Sequence, residues 1–151
     1  DMRKLGFYLS SIQLKKLSNS EIVMSQYSDL SGFNDAELSG RWSREKEVHV
    51  KFFAGKVARD LICSIEGFPF LHEKFSRNEM SVYLNGKKVE KVVFELGKSW
   101  NNQVRFPKEL IREGRNDIMF LFKEVKSPFD FGMPDMRKLG FFFKKIRIEE
   151  E

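Results

Sequence analysis

Short runs of alternating apolar and polar residues recur along the chain and predict β-strands. Residues 47–53 and 59–66 are the clearest runs, because every second side chain in them is apolar. In a strand, alternate residues share one face of the sheet. Runs of this length, with turn residues between them and almost no helical periodicity, predict an all-β fold. The spacing indicates an antiparallel β-sandwich of the jelly-roll type.

Residues 80–123 show the predicted order of elements most clearly: strand, tight turn, strand, helical turn, strand. Asn85-Gly86 is the dipeptide best suited to the positive φ angles of a type I′ hairpin. Pro107 predicts a short helical turn over residues 108–113, and Gly114 predicts its end. The strands predicted in this stretch and at the two ends of the domain are 80–84, 87–95, 104–106, 117–123, 21–26 and 139–148.

The apolar phases of these strands predict a core between two sheets. Cys63, the only cysteine, alternates with apolar neighbours and is expected to be a buried small hydrophobe. A single cysteine excludes an internal disulfide and favours a cytoplasmic location. The predicted core residues are Val48, Val50, Phe52, Leu61, Cys63, Ile65, Val82, Leu84, Ile118, Phe120 and Phe122.

Residues 1–7 recur unchanged as residues 135–141, and the apolar pattern after them is also similar. One interpretation makes 1–18 a linker or the terminal strand of a preceding repeat, followed by a sandwich domain over 19–151. The other makes the two segments paired strands of one domain. Under the first interpretation, the strand in 1–18 docks on this domain or is exchanged in a homodimer.

The charge balance indicates which partners the chain attracts. A net charge of +5 and a pI near 9.3 favour anionic glycans, phospholipid head groups or nucleic acid, although 22 acidic residues are interspersed. Nucleic-acid binding needs basic residues interleaved with exposed aromatic rings, and this pattern is not found, so we expect no nucleic-acid partner. No run of about 18 apolar residues is present, so no transmembrane segment is expected.

The residues of the common catalytic and metal sites are scarce. His49 and His72 are the only histidines, and neither is spaced from a second histidine or a cysteine as metal ligands are. The chain lacks a nucleophile elbow and a phosphate-binding glycine loop. We therefore expect no metal, no cofactor and no catalysis by this chain alone.

The loop over residues 32–43 and a second loop before the strand at 104 are the candidate functional segments. Sugars are bound by aromatic faces and by planar polar groups, and both kinds of side chain occur here. An alternative is that Trp42 enters the core while Arg41 holds the loop carboxylates. The candidate carbohydrate-binding residues are Phe33, Asp35, Glu37, Arg41, Trp42, Trp100, Asn101 and Asn102.

Two stretches resemble known families. Residues 82–89 and 105–122 read VYLNGKKV and RFPKELIREGRNDIMFLF. Their order resembles the galactose-binding-like jelly roll of the sugar-binding domains of β-galactosidases and β-glucuronidases. A second set of spaced residues extends over nearly the whole chain: Gly32, Phe33, Glu37, Gly40 to Ser43, Asn85, Gly86, Ser127, Pro128, Asp135, Arg137, Leu139 and Gly140. In these residues the chain resembles β-sandwich accessory domains of bacterial glycosyltransferases and surface-polysaccharide biosynthesis proteins.

These resemblances imply a non-catalytic module that handles a glycan, with anionic glycans among the candidates. They also imply a neighbouring transferase domain in the parent chain, engaged in polysaccharide or lipopolysaccharide assembly at the inner face of a bacterial membrane. The alternative is a structural spacer or dimerisation domain without a ligand. An exposed ring at Trp42 or Trp100 beside polar groups favours binding, whereas burial of both rings favours the structural role.

Overall fold

Two antiparallel sheets, packed face to face, make up the part of the chain that the computed structural model describes, residues 19–151. The strands of the first sheet, sheet A, are β1 (Asn19–Val23), β3 (Arg41–Trp42), β5 (Leu61–Pro69), β8 (Gln103–Phe106) and β10 (Phe141–Glu150). The strands of sheet B are β2 (Leu30–Ser31), β4 (Glu47–Ala54), β6 (Arg77–Leu84), β7 (Lys87–Glu95) and β9 (Gly114–Phe122). The predicted all-β sandwich is confirmed.

The strand order places the last strand, β10, in the middle of sheet A. Sheet A has the strand order β1-β10-β5-β8. Along the same edge of β10, β3 pairs with residues 142–143 and β1 pairs with residues 145–149. Sheet B runs β2-β4-β9-β6-β7. Non-consecutive neighbours such as β10 and β5 show that the chain crosses between sheets, as it does in jelly rolls.

The core lies between the sheets and contains the residues that strand alternation predicts. All eleven predicted core side chains are at most 1% exposed. Facing aromatic rings join the layers: Phe120 of β9 and Phe143 of β10 have centroids 5.0 Å apart. The predicted strand phases are therefore correct.

The central hairpin also has the predicted form, since Asn85 (φ 49°) and Gly86 (φ 85°) both take positive φ angles. The helical turn is shorter than predicted and covers only Lys108–Leu110, because Ile111 is already extended. The buried side chain of Asn116 explains the early end. It accepts a hydrogen bond from the Arg112 N–H and donates to the Arg112 carbonyl, replacing helical hydrogen bonds.

Several boundaries differ from the predicted ones. β1 ends at Val23, because the Val23 carbonyl accepts hydrogen bonds from two N–H groups of the following turn. β5 continues to Pro69, and the predicted loop over 27–40 contains β2. A 3-10 helix, Pro128–Phe131, begins with a capping box formed by Ser127 and Asp130 in the predicted loop after β9.

The first copy of the repeated heptamer, the strand predicted in residues 1–18 and any dimer through it lie outside the described residues. The second copy forms an irregular segment that leads into β10, which begins at Phe141. Within residues 19–151, no helix is long and apolar enough to cross a membrane.

Candidate functional site

Three aromatic residues form a cluster on the outer face of sheet A. Trp42 pairs with Phe142 across β3 and β10, and Phe142 pairs with Phe68 across β10 and β5. Directly paired side chains point to the same face of a sheet. The ring centroids lie 5.1 to 5.5 Å apart. Phe68 is 44% exposed, Trp42 is half-buried and Phe142 is 5% exposed. We name Trp42, Phe68 and Phe142 the aromatic platform.

A close approach of backbones holds the platform in place. A Cβ added to Gly67 would lie 2.0 Å from the Phe142 carbonyl oxygen, so a larger residue would separate β5 from β10. The pairing of these strands shifts between Phe143 and Lys145, as at a β-bulge. Within this irregularity, the Lys144 Nζ lies 5.7 Å from the centre of the Phe68 ring, a favourable cation–π distance.

A groove continues from the platform along the outer face of β5. Its floor contains Ser64 and Glu66, which share a face with Phe68. Asn102 lies along one wall, and Lys145 and Arg147 of β10 lie along the other. We name Ser64, Glu66, Trp100, Asn102, Lys145 and Arg147 the β5 groove. Its two adjoining hollows have volumes of about 280 and 360 Å³, near the lower end of ligand sites.

The loop that carries Trp100 and Asn102 is fixed to β5. The Asn102 carbonyl accepts a hydrogen bond of 2.8 Å from the Ile65 N–H. The half-buried Trp100 ring packs edge-on against Phe94 and Phe141 in the core and also lines the groove. The loop therefore has a preformed position, with the Asn102 side chain exposed beside Glu66.

The cations of the groove are paired with carboxylates on its far side. Lys145 and Arg147 lie 3.3 and 3.1 Å from the Glu21 carboxylate of β1. The hydrogen bond from Arg147, and to a smaller extent the one from Lys145, lowers the pKa of Glu21. Arg147 also lies 3.6 Å from Glu149. Glu66 is exposed and has no ion pair or side-chain hydrogen bond with any residue from 19 to 151.

The sequence-predicted residues of the 32–43 loop do not converge on the groove. Phe33 is 8% exposed and packs edge-on against Phe143. Its ring is a core residue without a free face for a sugar, so we leave it out of the proposed site. Glu37 lies 3.1 Å from Arg137, which also holds Asp135. Asp35 is exposed in the same loop.

Arg41 and Trp42 do not have the roles of the alternative interpretation. Trp42 lies on the outer face of sheet A, and Arg137 rather than Arg41 holds the loop carboxylate of Glu37. The Arg41 Nε is buried without a hydrogen-bond partner in the described part of the chain. Asn101 supports its own loop, because its side-chain oxygen accepts a hydrogen bond from the Gln103 N–H.

The spaced residues of the second resemblance fasten β3 to β10. The Ser43 Oγ accepts a hydrogen bond from the Phe141 N–H at 2.9 Å, and the Ser43 carbonyl accepts one from Gly140. A Cβ on Gly140 would lie 2.6 Å from the Ser43 Oγ. Ser127 donates from its hydroxyl to the Asp135 carbonyl. These motif residues therefore have mainly a structural role: they attach β3 and the segment before β10 to each other at the platform end of sheet A.

Sequence reasoning missed Phe68, Glu66, Ser64, Lys145 and Arg147 as site residues. One signal was available in β5. Ser64 and Glu66 alternate with the core residues of this strand, so both side chains lie on its outer face. Phe68 was missed because Gly67 and Pro69 suggested a loop. The positions of Lys145 and Arg147 opposite Glu66 and Ser64 depend on a register shift between β10 and β5, which the alternation within one strand does not show.

Two other groups with unusual pKa values lie outside the groove. His49, on the outer face of sheet B, lies 3.0 Å from Asp117 and 2.9 Å from Glu47. Partial burial opposes the charged ring, but hydrogen bonds to both carboxylates outweigh it and raise the pKa of His49. Burial raises the pKa of the Cys63 thiol to about 12, which makes it a poor nucleophile.

No family model matches this chain, and no curated protein matches it. Solved structures of carbohydrate-binding modules share its jelly-roll fold. One is the module CBM36 in complex with calcium and xylotriose, 11% identical, covering 86% of this chain and 99% of that one, with a TM-score of 0.50.

Two enzymes contain a similar region. The Podospora anserina GH26-CBM35 β-(1,4)-mannanase is 14% identical over 88% of this chain and 28% of its own, with a TM-score of 0.50. The acetyl xylan esterase Est2A of Butyrivibrio proteoclasticus is 13% identical over 88% of this chain and 32% of its own, with a TM-score of 0.51. At these identities, the likeness shows the fold.

The CBM36 complex contains calcium, whereas the described part of this chain does not offer a comparable set of ligands. Within residues 19–151, no three side chains of His, Cys, Asp or Glu gather closely enough to hold a metal ion. Calcium takes six to eight oxygen ligands, and carboxylates commonly contribute. The described donor set does not fit such an ion.

Proposed function

We propose that this chain is a non-catalytic carbohydrate-binding module that holds a glycan along the β5 groove and the aromatic platform. One observation carries the proposal: an exposed aromatic ring, Phe68, shares the outer face of β5 with the Glu66 carboxylate, which has no ion pair or side-chain hydrogen bond within residues 19–151. The exposed amide of Asn102 faces the same groove. Neither Trp42 nor Trp100 is fully buried, whereas burial of both rings would favour a purely structural role.

The two parts of the site contribute different interactions. The platform offers apolar area to the C–H face of a sugar ring, which releases water from both surfaces. The groove offers a carboxylate and an amide, whose planar oxygen and nitrogen atoms accept from and donate to hydroxyl groups. Because the loop at Trp100 is packed into the core, the groove walls need little reorganisation on binding.

Similar solved structures support the proposal. One is a carbohydrate-binding module in complex with calcium and xylotriose, and another is a GH26-CBM35 mannanase. The fold alone does not determine function, so the argument depends on the platform and the groove.

The test is a glycan array with the full chain, followed by calorimetric titration of the best ligand. Phe68→Ala should weaken binding about fivefold, the value of one aromatic contact of about 1 kcal/mol. Phe53→Ala is the matched control, because Phe53 is 40% exposed on the outer face of sheet B. EDTA should leave the affinity unchanged. Binding that survives Phe68→Ala and Trp42→Ala together would contradict a site on sheet A.

The wider setting of the module is part of the proposal. We propose that it accompanies a catalytic domain in a longer parent chain, as a bacterial glycosyltransferase accessory domain in surface-polysaccharide assembly at the cytoplasmic face of the membrane. A module in this setting would hold the growing glycan near the active site. The check is to express the parent enzyme with Phe68→Ala, which should raise its KM for a long glycan acceptor more than for a short one.

A second candidate function is structural, as a repeated spacer unit, and one observation favours it. Along β10, from Phe141 to Glu150, the first three residues, the sixth and the eighth are buried. The other five residues are half-buried or exposed. Residues 7–16, FYLSSIQLKK, have apolar residues at all the buried positions and polar residues at all the others. This match includes the departure from simple alternation at the bulge.

We infer from this match that residues 7–16 correspond to the β10 strand of a preceding copy of the fold. The sequence of the parent gene upstream of this segment tests the inference. It should encode a copy with the Asn-Gly hairpin and the Gly-Arg-Trp-Ser motif at the same spacing. An unrelated upstream sequence would contradict the array, while leaving the glycan proposal unaffected.

A further inference from the structure

The position of Glu66 relative to its neighbours indicates which class of glycan the groove accepts. Glu66 lies directly opposite Lys145 across β5 and β10. Opposite charges in such a position commonly pair. Here the Lys145 Nζ instead lies 3.3 Å from Glu21 on the next strand, β1. Within the described range 19–151, Glu66 is thus left unpaired although a lysine is its directly paired cross-strand neighbour.

The other cations lining the groove are also engaged elsewhere. Arg147 pairs with Glu21 and Glu149, at 3.1 and 3.6 Å. Lys98, at the Trp100 end of the groove, lies 2.8 Å from Glu95. An incoming acidic group would therefore have to compete with carboxylates that already hold these cations. It would also meet the free carboxylate of Glu66.

The exposed Glu66 carboxylate is well suited to hydroxyl groups. A carboxylate has two acceptor oxygens and binds two donors at once. Hydrogen bonds to a charged group are stronger than those between neutral groups. Asn102, on the neighbouring wall, adds a donor and an acceptor. Two adjacent hydroxyls of a sugar ring match this arrangement, whereas a sugar carboxylate does not.

We propose that Glu66 is a specificity-determining residue that accepts hydrogen bonds from adjacent hydroxyls of a neutral sugar and excludes acidic sugars from the groove. This inference rests on the proposed function and narrows it. It also runs against the expectation from the basic pI, because the cations that line this groove, Lys98, Lys145 and Arg147, are already paired with carboxylates. Ionic strength should therefore have little effect on affinity.

The test uses pairs of oligosaccharides that differ only at C6. Gluco-, manno- and galacto-oligosaccharides are titrated into the full chain beside the corresponding glucuronic, mannuronic and galacturonic acid oligosaccharides. The neutral member of the bound pair should bind at least about tenfold more tightly, as expected for two like charges a few ångströms apart. Glu66→Gln keeps the shape and removes the charge, so it should abolish most of this preference.

A control variant and the pattern of outcomes separate the possible failures. Glu113→Gln makes the same charge change at an exposed position before β9, and it should leave the preference intact. If no oligosaccharide binds the wild-type chain, the proposed function itself fails. If Phe68→Ala weakens binding but the wild-type chain prefers acidic sugars, or Glu66→Gln leaves the preference unchanged, only the role of Glu66 is refuted.

Discussion

Truncating Phe120 to alanine tests the packing of the two sheets. Phe120 is fully buried on β9, where it pairs with Val48 of β4 and Val82 of β6. Its ring lies 5.0 Å from Phe143 of the opposite sheet. The change therefore removes apolar contacts both within sheet B and across the core.

The magnitude follows from the full burial of the ring. Losing the transfer free energy of a buried aromatic side chain costs about 1.5–3 kcal/mol, and the cavity left behind raises the total to about 3–5 kcal/mol. At roughly 2–4 °C per kcal/mol for a domain of this size, the melting temperature should fall by about 6–20 °C. Urea denaturation followed by circular dichroism measures the free energy of unfolding.

Phe53→Ala is the control for this measurement, since it makes the same chemical change on a ring that is 40% exposed. Its cost should be about 1–2 kcal/mol, in proportion to the smaller buried area. A loss under about 1 kcal/mol for Phe120→Ala, or equal losses for the two variants, would refute the placement of Phe120 between the sheets.

Three further outcomes are expected. Deleting residues 1–18 should leave a cooperatively unfolding protein, because 19–151 supply both sheets; loss of the urea transition would make the segment integral to the fold. The raised pKa of His49 gives stability that is complete below a pH of about 6.5 and lost as pH rises through the folded pKa; His49→Gln should remove this dependence, and an unchanged pH profile would contradict it. Cys63, with its pKa raised to about 12, should react with a thiol reagent at about pH 8 only after unfolding; rapid reaction in the folded state would disprove its burial.

The sequence was sufficient to predict the core and the central hairpin, because both depend on local rules. Alternation determines which side chains of β4, β5 and β9 face inward, and Asn85-Gly86 adopts the backbone angles that its composition favours. The length of the 108–113 turn was wrong for a non-local reason. The side chain of Asn116, from the following strand, replaces the helical hydrogen bonds at Arg112.

The candidate site was only partly predictable, because it depends on strand order. Trp42, Trp100 and Asn102 were proposed from their residue types, and the structure places all three around the end of β5. Phe33 was grouped with Trp42 because the two are close in sequence, but Phe33 packs against the core residue Phe143. The pairing of β10 with both β3 and β5 brings Phe142 and Phe68 to Trp42, and alternation within one strand does not reveal it.

The three consecutive phenylalanines at the start of β10 show how one short segment serves both stability and the proposed site. Phe141 and Phe143 face the core and are fully buried, while Phe142 faces outward. An outward phenylalanine is normally exposed, yet Phe142 is 5% exposed because Trp42 and Phe68 cover it. The platform therefore consists of a covered ring that supports two more accessible ones. Truncating Phe142 should weaken both folding and glycan binding, whereas truncating Phe68 should affect mainly binding, since its ring is the most exposed of the three.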